Sequence, residues 1–388
     1  MDYLPDSLTS PSFRQMRIAI AVFFFISGFG YAAWASRIPT IKEQLHLNEA
    51  QLGSILFVLP VGLMVTMPFT NYLLGRFTSR AIMLSGSVFF SVMLCFAGFA
   101  TAAWQLVIIL FCFGSSRNLL NLSMNAQAVS IQGLSDKSIM TSFHGLWSLA
   151  GFSGAALGYL MVSLHISTEW HLPAVGISMT ILSLLFYSNS LDQPPAKKIN
   201  RKIFALPDKY LLQFALIAFA SMACENTMYD WCGIYFQKAV HSTRPAATAG
   251  FVLYMVAMTS GRFAGDWVVT RIGIEKILHY SGILITAGLL TAVLLPYPVT
   301  ASIGFIFTGL GVSCIVPLVF NLAGKSKTMN SHTALAAIST VGYLGFLVVP
   351  PLVGFIAQAG GIRLSFGIIA TLGFLIIWMA NNIKKNMK

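Results

Sequence analysis

Charge is scarce in this chain of 388 residues: Asp, Glu, Lys and Arg make up 9% of it, against 56% hydrophobic residues. A water-soluble protein gives about a quarter of its residues to those four types. So little charge leaves most of the surface unsuited to water, and lipid is what such a surface fits. A mean hydropathy of +0.76 agrees. Groupings that carry chemistry are missing too. No GxxxxGK[ST] loop occurs, so ATP is not expected to drive the protein directly. No set of His, Cys and carboxylate residues has metal-ligand spacing, and no Ser stands in a nucleophile elbow. Enzymatic function, a bound cofactor and a metal site are therefore not expected. The five cysteines, Cys95, Cys112, Cys224, Cys232 and Cys314, sit singly in apolar stretches. They read as small buried hydrophobes, not disulfides or ligands. The first apolar run follows Arg14 and Arg17, is long enough to span, and precedes no small-residue cleavage site. A cleavable signal peptide is accordingly not expected.

What the chain has in abundance is long apolar runs. About 20 such residues cross a bilayer as a helix. Twelve segments qualify, predicted at 16–37, 50–73, 81–101, 104–131, 138–164, 171–190, 209–237, 246–270, 276–295, 299–323, 332–358 and 363–382. The longest polar connection, Asp192 to Pro207, carries Lys197, Lys198, Arg201 and Lys202. The predicted fold is an all-α membrane protein of twelve transmembrane helices in two pseudo-symmetric six-helix bundles. The expected division is a first bundle over 1–190, a cytoplasmic linker over 191–207 and a second bundle over 208–388.

Positive charge sets the expected orientation, because cytoplasmic ends retain Lys and Arg. With the N-terminus inside, seventeen of the 24 Lys and Arg fall on the cytoplasmic side. Five fall opposite, namely Arg37, Lys42, Lys238, Arg244 and Arg363, and Arg117 and Arg262 lie within spans. Both termini are therefore expected in the cytoplasm. The formal net charge of +12 is explained as a topology signal, so no nucleic-acid partner is expected. The partners expected are the lipid bilayer and a small-molecule substrate, and the protein is expected to be a monomer.

The two halves carry traces of a repeat. Ser148, Gly151 and Gly154 in the fifth segment, and Ser339, Gly342 and Gly345 in the eleventh, both read SxxGxxG. Arg76 and Arg271 stand at matching places after the second and eighth segments. An offset near half the chain is what a duplicated six-helix unit leaves.

Several stretches, in this order, resemble the major facilitator superfamily over the whole chain. They also resemble its branch containing the fucose permease and poorly characterised bacterial inner-membrane relatives. They are Trp34-Ala-Ser-Arg37-Ile-Pro39, Met124-Asn125-Ala-Gln127, Phe143-His144-Gly145-Leu-Trp147-Ser148, Asp230-Trp231, Gly261-Arg262-Phe-Ala-Gly265-Asp266, and Gly342-Tyr343-Leu-Gly345 with Pro350-Pro351. The resemblance implies a secondary transporter working by alternating access in the bacterial inner membrane. It also implies that helices 1, 4, 7 and 10 line a central cavity, with 2, 5, 8 and 11 beside them. One departure stands out. The family's loop between helices 2 and 3 resembles GxxxDRxGRR, but here Gly75 occupies the acidic position before Arg76 and both glycines are lost. A latch built there should be weak.

Ionisable residues inside spans cost about 2.5–3.5 kcal/mol each at the helix centre, so they normally face a cavity or a partner. Glu225, near the middle of the seventh span, is the first candidate for proton coupling. Arg117, in the fourth, suits a carboxylate, phosphate or sulfate on the solute, although a salt bridge to Glu225 would explain it equally well. Asp230 is five residues beyond Glu225, about 140° around the helix, and is a candidate for an outer gate, substrate binding or coupling. Its bland alternative is a helix-packing hydrogen bond. His144 is a further coupling candidate, since its side chain titrates near neutrality. Arg117, Asn121 and Asn125 repeat every four residues as one polar stripe, expected to bind substrate or to hydrogen-bond a neighbouring helix. Tyr31, Trp34, Trp147, Tyr229, Trp231 and Tyr343 are candidate stacking walls, and Asn321 a further polar contact. Arg76, Arg262, Asp266 and Arg271 are expected to gate. Proton-coupled uptake of a small polar solute (a sugar, sugar acid or other organic anion), powered by the proton gradient, is the leading expectation. Proton-driven export of a metabolite or drug is the alternative. A lipid flippase or a non-transporting sensor ranks below both.

Overall fold

A computed structural model describes residues 11–135, 139–192, 195, 206–324, 329 and 331–386. Most of the expected linker, and with it Lys197, Lys198, Arg201 and Lys202, lies outside the described residues. Among those described there is no strand, and thirteen helices follow one another. They are α1 Phe13–Gln44, α2 Glu49–Leu74, α3 Ser79–Gly98, α4 Ala103–Gln132, α5 Met140–Ser163, α6 Thr168–Tyr187, α7 Lys209–Lys238, α8 Arg244–Ile272, α9 Ile274–Leu294, α10 Pro298–Val312, α11 Ile315–Gly324, α12 Ser331–Gly360 and α13 Ile362–Asn386. Helices α10 and α11 are one span interrupted at Ser313–Cys314, so the twelve predicted segments each find their counterpart. Eleven spans are long and apolar enough to cross a membrane. The remaining long helix, α8, has 29 residues but carries Arg262 in its interior and Arg244 and Arg271 near its ends, which dilutes its apolar character.

The first span differs most from expectation. It was expected to end at Arg37, taken as a water-side residue, but α1 runs on to Gln44. Arg37 is only 2% exposed. Its Nε donates to His171 Nδ1 at 2.9 Å and its Nη2 to the Ile166 carbonyl at 2.8 Å. With its donors met by α6 and the turn before it, the guanidinium needs no water, and the helix continues. Local chemistry starts the first two helices. Ser12 with Gln15 and Asn48 with Gln51 form reciprocal capping boxes that satisfy otherwise unpaired N–H groups at α1 and α2.

Six spans form each bundle, and the two bundles repeat one packing scheme. Helix α5 lies along α1, and α12 lies along α7 in the same relation. The repeated glycines make both approaches possible. A Cβ on Gly154 would strike the Phe29 carbonyl oxygen of α1. One on Gly345 would come within 2.8 Å of the Phe219 carbonyl oxygen of α7. The half-chain SxxGxxG repeat is thus a packing device, in keeping with small residues at membrane helix contacts.

Between bundles, α2 meets α12 and α5 meets α8. At the end away from the chain termini the seal is tight. Gly53 of α2 lies against the backbone of Pro350, Pro351 and Gly354 of α12. Around it run ion pairs. Arg244 Nη2 reaches Glu43 Oε2 at 2.6 Å, and Lys42 and Lys238 reach Glu49 at 3.2 and 3.6 Å. Gln237 Nε2 donates to Glu43 at 2.9 Å. Three of these four contacts cross from one bundle to the other.

Replacing Gly154 by Val should push α5 off α1 and cost about 1–3 kcal/mol, the usual range for overpacking. A melt of the purified protein should show a clear drop for Gly154→Val. Gly367→Val, where an added Cβ meets nothing closer than 3.9 Å, should leave the melt nearly unchanged.

Candidate functional site

A cavity of about 450 Å³ lies between the bundles. Helix α7, whose middle is almost wholly buried, contributes Met222, Glu225, Asn226 and Asp230 to its wall. Helix α4 contributes Arg117, Asn118, Asn121, Leu122, Met124 and Asn125. Tyr31 and Phe24 come from α1, His144 and Trp147 from α5, Arg262 from α8, and Tyr343 and Phe346 from α12. One side is apolar, formed by Leu59, Leu63, Met64 and Met67 of α2 with Val316, Pro317 and Phe320 of α11. The lining reaches from Tyr31 and Asp230 towards Met67, Asn125 and Phe320, so the cavity runs towards the end that carries both termini.

Two oppositely charged pairs of side chains share this space, and they are arranged differently. Glu225 is not paired with Arg117, the partner considered from sequence. Its Oε1 accepts from Arg262 Nη2 at 3.3 Å. Arg262 also donates to Ser148 Oγ of α5 at 2.9 Å and to the Ser313 carbonyl at 3.3 Å, and it lies 5.5 Å from the Trp147 ring. The guanidinium therefore ties α7 and α8 to α5 of the other bundle. The physical reason for the changed pairing is direction. From α8 the Arg262 side chain reaches towards the α5–α7 seam, whereas Arg117 turns onto Tyr31, its Cζ 3.7 Å from the ring centroid. Arg117 Nε is buried without a hydrogen-bond partner. Among the described residues, Arg117 joins none of the ion pairs.

Asp230 is 8% exposed and accepts from the Asn226 amide at 3.1 Å, one turn back on its own helix. Sequence reasoning passed over Asn226, although its spacing of four from Asp230 was the available signal. The α4 stripe lines the cavity and also hydrogen-bonds a neighbouring helix. Asn121 Oδ1 accepts from Ser27 Oγ at 3.1 Å, and Asn125 Nδ2 donates to the Asn121 carbonyl at 2.8 Å. Trp147 Nε1 donates to the same Ser27 hydroxyl at 3.4 Å. Ser27 carried no signal in the sequence, being one small residue in an apolar run. Tyr229 sits behind the lining, its ring 5.2 Å from Tyr31, which makes an aromatic contact between bundles.

Other candidates lie elsewhere. Trp34 is buried against Phe113 within the first bundle. Trp231 is wholly buried in the second. Neither lines the cavity, because both ring systems point into helix-packing seams. Asn321 is exposed on α11 and also lies outside the lining. Arg76 and Arg271 sit near the terminal-side ends of α2 and α8, stacked 4.7 and 4.1 Å from Tyr72 and Trp267 of their own helices. Arg80 rather than Arg76 anchors the α2–α3 turn, through Asp192 at 3.5 Å and the carbonyls of Tyr187 and Ser188. The side chain of Asp266 is outside the described residues. Glu43 and Glu49, which hold the closed end, were missed because near a span boundary they looked like ordinary water-side charges.

Twelve spanning helices in two repeated bundles, closed around a charged central cavity, define a multi-pass membrane transporter. Comparisons with known proteins agree. The sequence pattern of the Major Facilitator Superfamily matches residues 20–333, and the chain belongs to that family, whose members are transporters and not enzymes. It is 30% identical over 358 residues to an uncharacterised MFS-type transporter of Yersinia pestis, covering 92% of this chain and 93% of that one. It is 28% identical over 374 residues to the membrane protein MosC of Rhizobium meliloti, covering 95% and 90%. In fold it is similar to the nucleoside transporter NupG (D323A mutant), with a TM-score of 0.77, 12% identity and coverage of 95% and 99%. A bacterial homologue of the human lysosomal transporter Spinster, in an inward-facing and occupied conformation, gives a TM-score of 0.70 with 11% identity, covering 95% and 96%.

Removing Arg262 strands Glu225, so Arg262→Ala should destabilise the protein by about 3 kcal/mol, the cost of breaking a mostly buried pair from one side. The double variant Arg262→Gln with Glu225→Gln should recover most of that loss. Thermal melts of the wild type, the single variant and the double variant give the comparison.

Proposed function

We propose that this protein is a proton-coupled symporter that moves a small polar solute, a sugar acid or another organic anion in preference to a neutral sugar, by alternating access. The observation that supports it best is the cavity itself, where Glu225, Asp230, Arg117 and Arg262 all line one space between the bundles. Charges at that depth are costly unless they work against a partner or a cargo. Glu225 is the proposed coupling carboxylate. Its ion-pair partner, Arg262, also grips the other bundle through Ser148. A rocking motion of one bundle would pull on that grip and leave Glu225 free to take a proton. His144, 5.4 Å from Phe24 in the cavity wall, is a second proposed proton carrier. Asn121, Asn125, Tyr31, Trp147 and Tyr343 would contact the solute. The excess of Lys and Arg at the termini-bearing end supports a bacterial inner-membrane location with that end in the cytoplasm. On that orientation the ion-paired end faces outward and the cavity belongs to an inward-facing state. We propose a monomer as the working unit, divided into bundles over 1–190 and 208–388 with a linker over 191–207.

The apolar wall of Met64, Met67, Val316 and Phe320 supports a second reading, proton-driven export of an amphipathic metabolite. Vesicles of both orientations separate the two, since symport fills right-side-out vesicles under an inward proton gradient and export fills inverted ones.

The test of coupling is uptake in proteoliposomes under an imposed pH gradient. Glu225→Gln should still exchange solute across the membrane but lose gradient-driven accumulation, by tenfold or more. Full accumulation by Glu225→Gln would remove Glu225 from the coupling role.

A further inference from the structure

The charges in the cavity do not cancel in the way a count suggests. Glu225 and Arg262 satisfy each other. That leaves Arg117 from the first bundle and Asp230 from the second, both in the lining and neither in an ion pair among the described residues. Asp230 has only the neutral Asn226 amide. Arg117 has the π face of Tyr31, with its Nε unfilled. A guanidinium on an aromatic ring keeps its edge free, and that edge has the fork geometry that binds a carboxylate through two parallel hydrogen bonds. The other ionisable groups facing this space are Tyr31 on α1, His144 on α5, Glu225 on α7, Arg262 on α8 and Tyr343 on α12, while α2 and α11 present apolar side chains.

We propose that Arg117 and Asp230 form the receptor for an organic monocarboxylate, and that the anion binds together with one proton on Asp230. This rests on the reading of the protein as a proton-coupled transporter and deepens it. With the site empty, ionised Asp230 is the one counter-charge left for Arg117 among the described residues of the lining. When a solute carboxylate takes Arg117, ionised Asp230 becomes a surplus negative charge at depth, and it takes a proton from water. Anion and proton then favour each other's binding by the same factor, as linkage requires. One negative and one positive charge enter, so the loaded cavity carries the same net charge as the empty one. Glu225 stays with Arg262 in this binding step and takes its own proton only later, when the movement of the bundles pulls Arg262 away.

Ligand binding to the detergent-purified protein, with no membrane gradient, tests the receptor apart from transport. The probes are D-glucuronate and 4-hydroxybenzoate, set against their uncharged counterparts D-glucose and 4-hydroxybenzyl alcohol. At least one acid should bind and its counterpart should not. Its affinity should fall as the pH rises and Asp230 ionises in the empty site, approaching tenfold per pH unit at the alkaline end, the limiting slope of one linked proton. Asp230→Asn should bind the same acid with affinity that does not change with pH. Arg117→Gln should lose at least tenfold in affinity, and Arg117→Lys should recover part of it. Melting curves confirm that each variant is folded. Binding of neither acid, equal binding of acid and alcohol, unchanged affinity in Arg117→Gln, or an unaltered pH slope in Asp230→Asn would each overturn the proposal. None of these results bears on Glu225→Gln accumulation, so failure of this receptor and failure of proton coupling are read separately.

Discussion

Hydrocarbon offers no hydrogen-bond partner and no counter-ion, and the rest of this structure follows from how the chain meets that constraint. Backbone groups are met within helices, the economical answer for a spanning segment. Side-chain charges need tertiary partners. Arg37, deep in α1, is satisfied by His171 and a carbonyl next to α6. Arg262 is satisfied by Glu225, Ser148 and the Ser313 carbonyl. Arg117 rests on Tyr31. Each solution draws together elements that are distant in sequence, so the buried cations also act as assembly points for the bundles.

The same logic governs the closed end. Five cations were assigned there by topology, and every one is engaged. Arg37 meets His171, Lys42 and Lys238 meet Glu49, Arg244 meets Glu43, and Arg363 donates to the Val293 carbonyl. A side that retains few positive charges has turned those few into fastenings. Glu43 and Glu49 work differently from the cavity pair. They stand near water, where ion pairs are individually weak, and the backbone contact of Gly53 with Pro350 and Gly354 carries the close fit. Weak polar pairs thus ring a tight backbone seam.

Much of the site was legible from residues alone. A charge or an Asn stripe inside an apolar run announces itself, and Arg117, Asn121, Asn125, Glu225, Asp230, His144 and Arg262 all line one cavity. Aromatic residues were harder to sort, because an indole at a span looks the same whether it faces a cavity or a neighbouring helix. Trp147 lines the space, while Trp34 and Trp231 fill seams. The partners of Arg262 were hidden for a similar reason. Its reach across to α7 and α5 is invisible to spacing along α8.

By itself the sequence determined that the chain spans a membrane, how many times, and that its halves repeat, because hydrophobic length and glycine spacing are local properties written along one helix at a time. It also determined which residues are too costly to leave in lipid. Only the tertiary structure decided their partners: Glu225 with Arg262 and not Arg117, Asp230 with Asn226, Arg117 with Tyr31. Pairing depends on the angle at which helices cross and the direction each side chain takes from its own axis, and those are set by packing between segments up to half the chain apart.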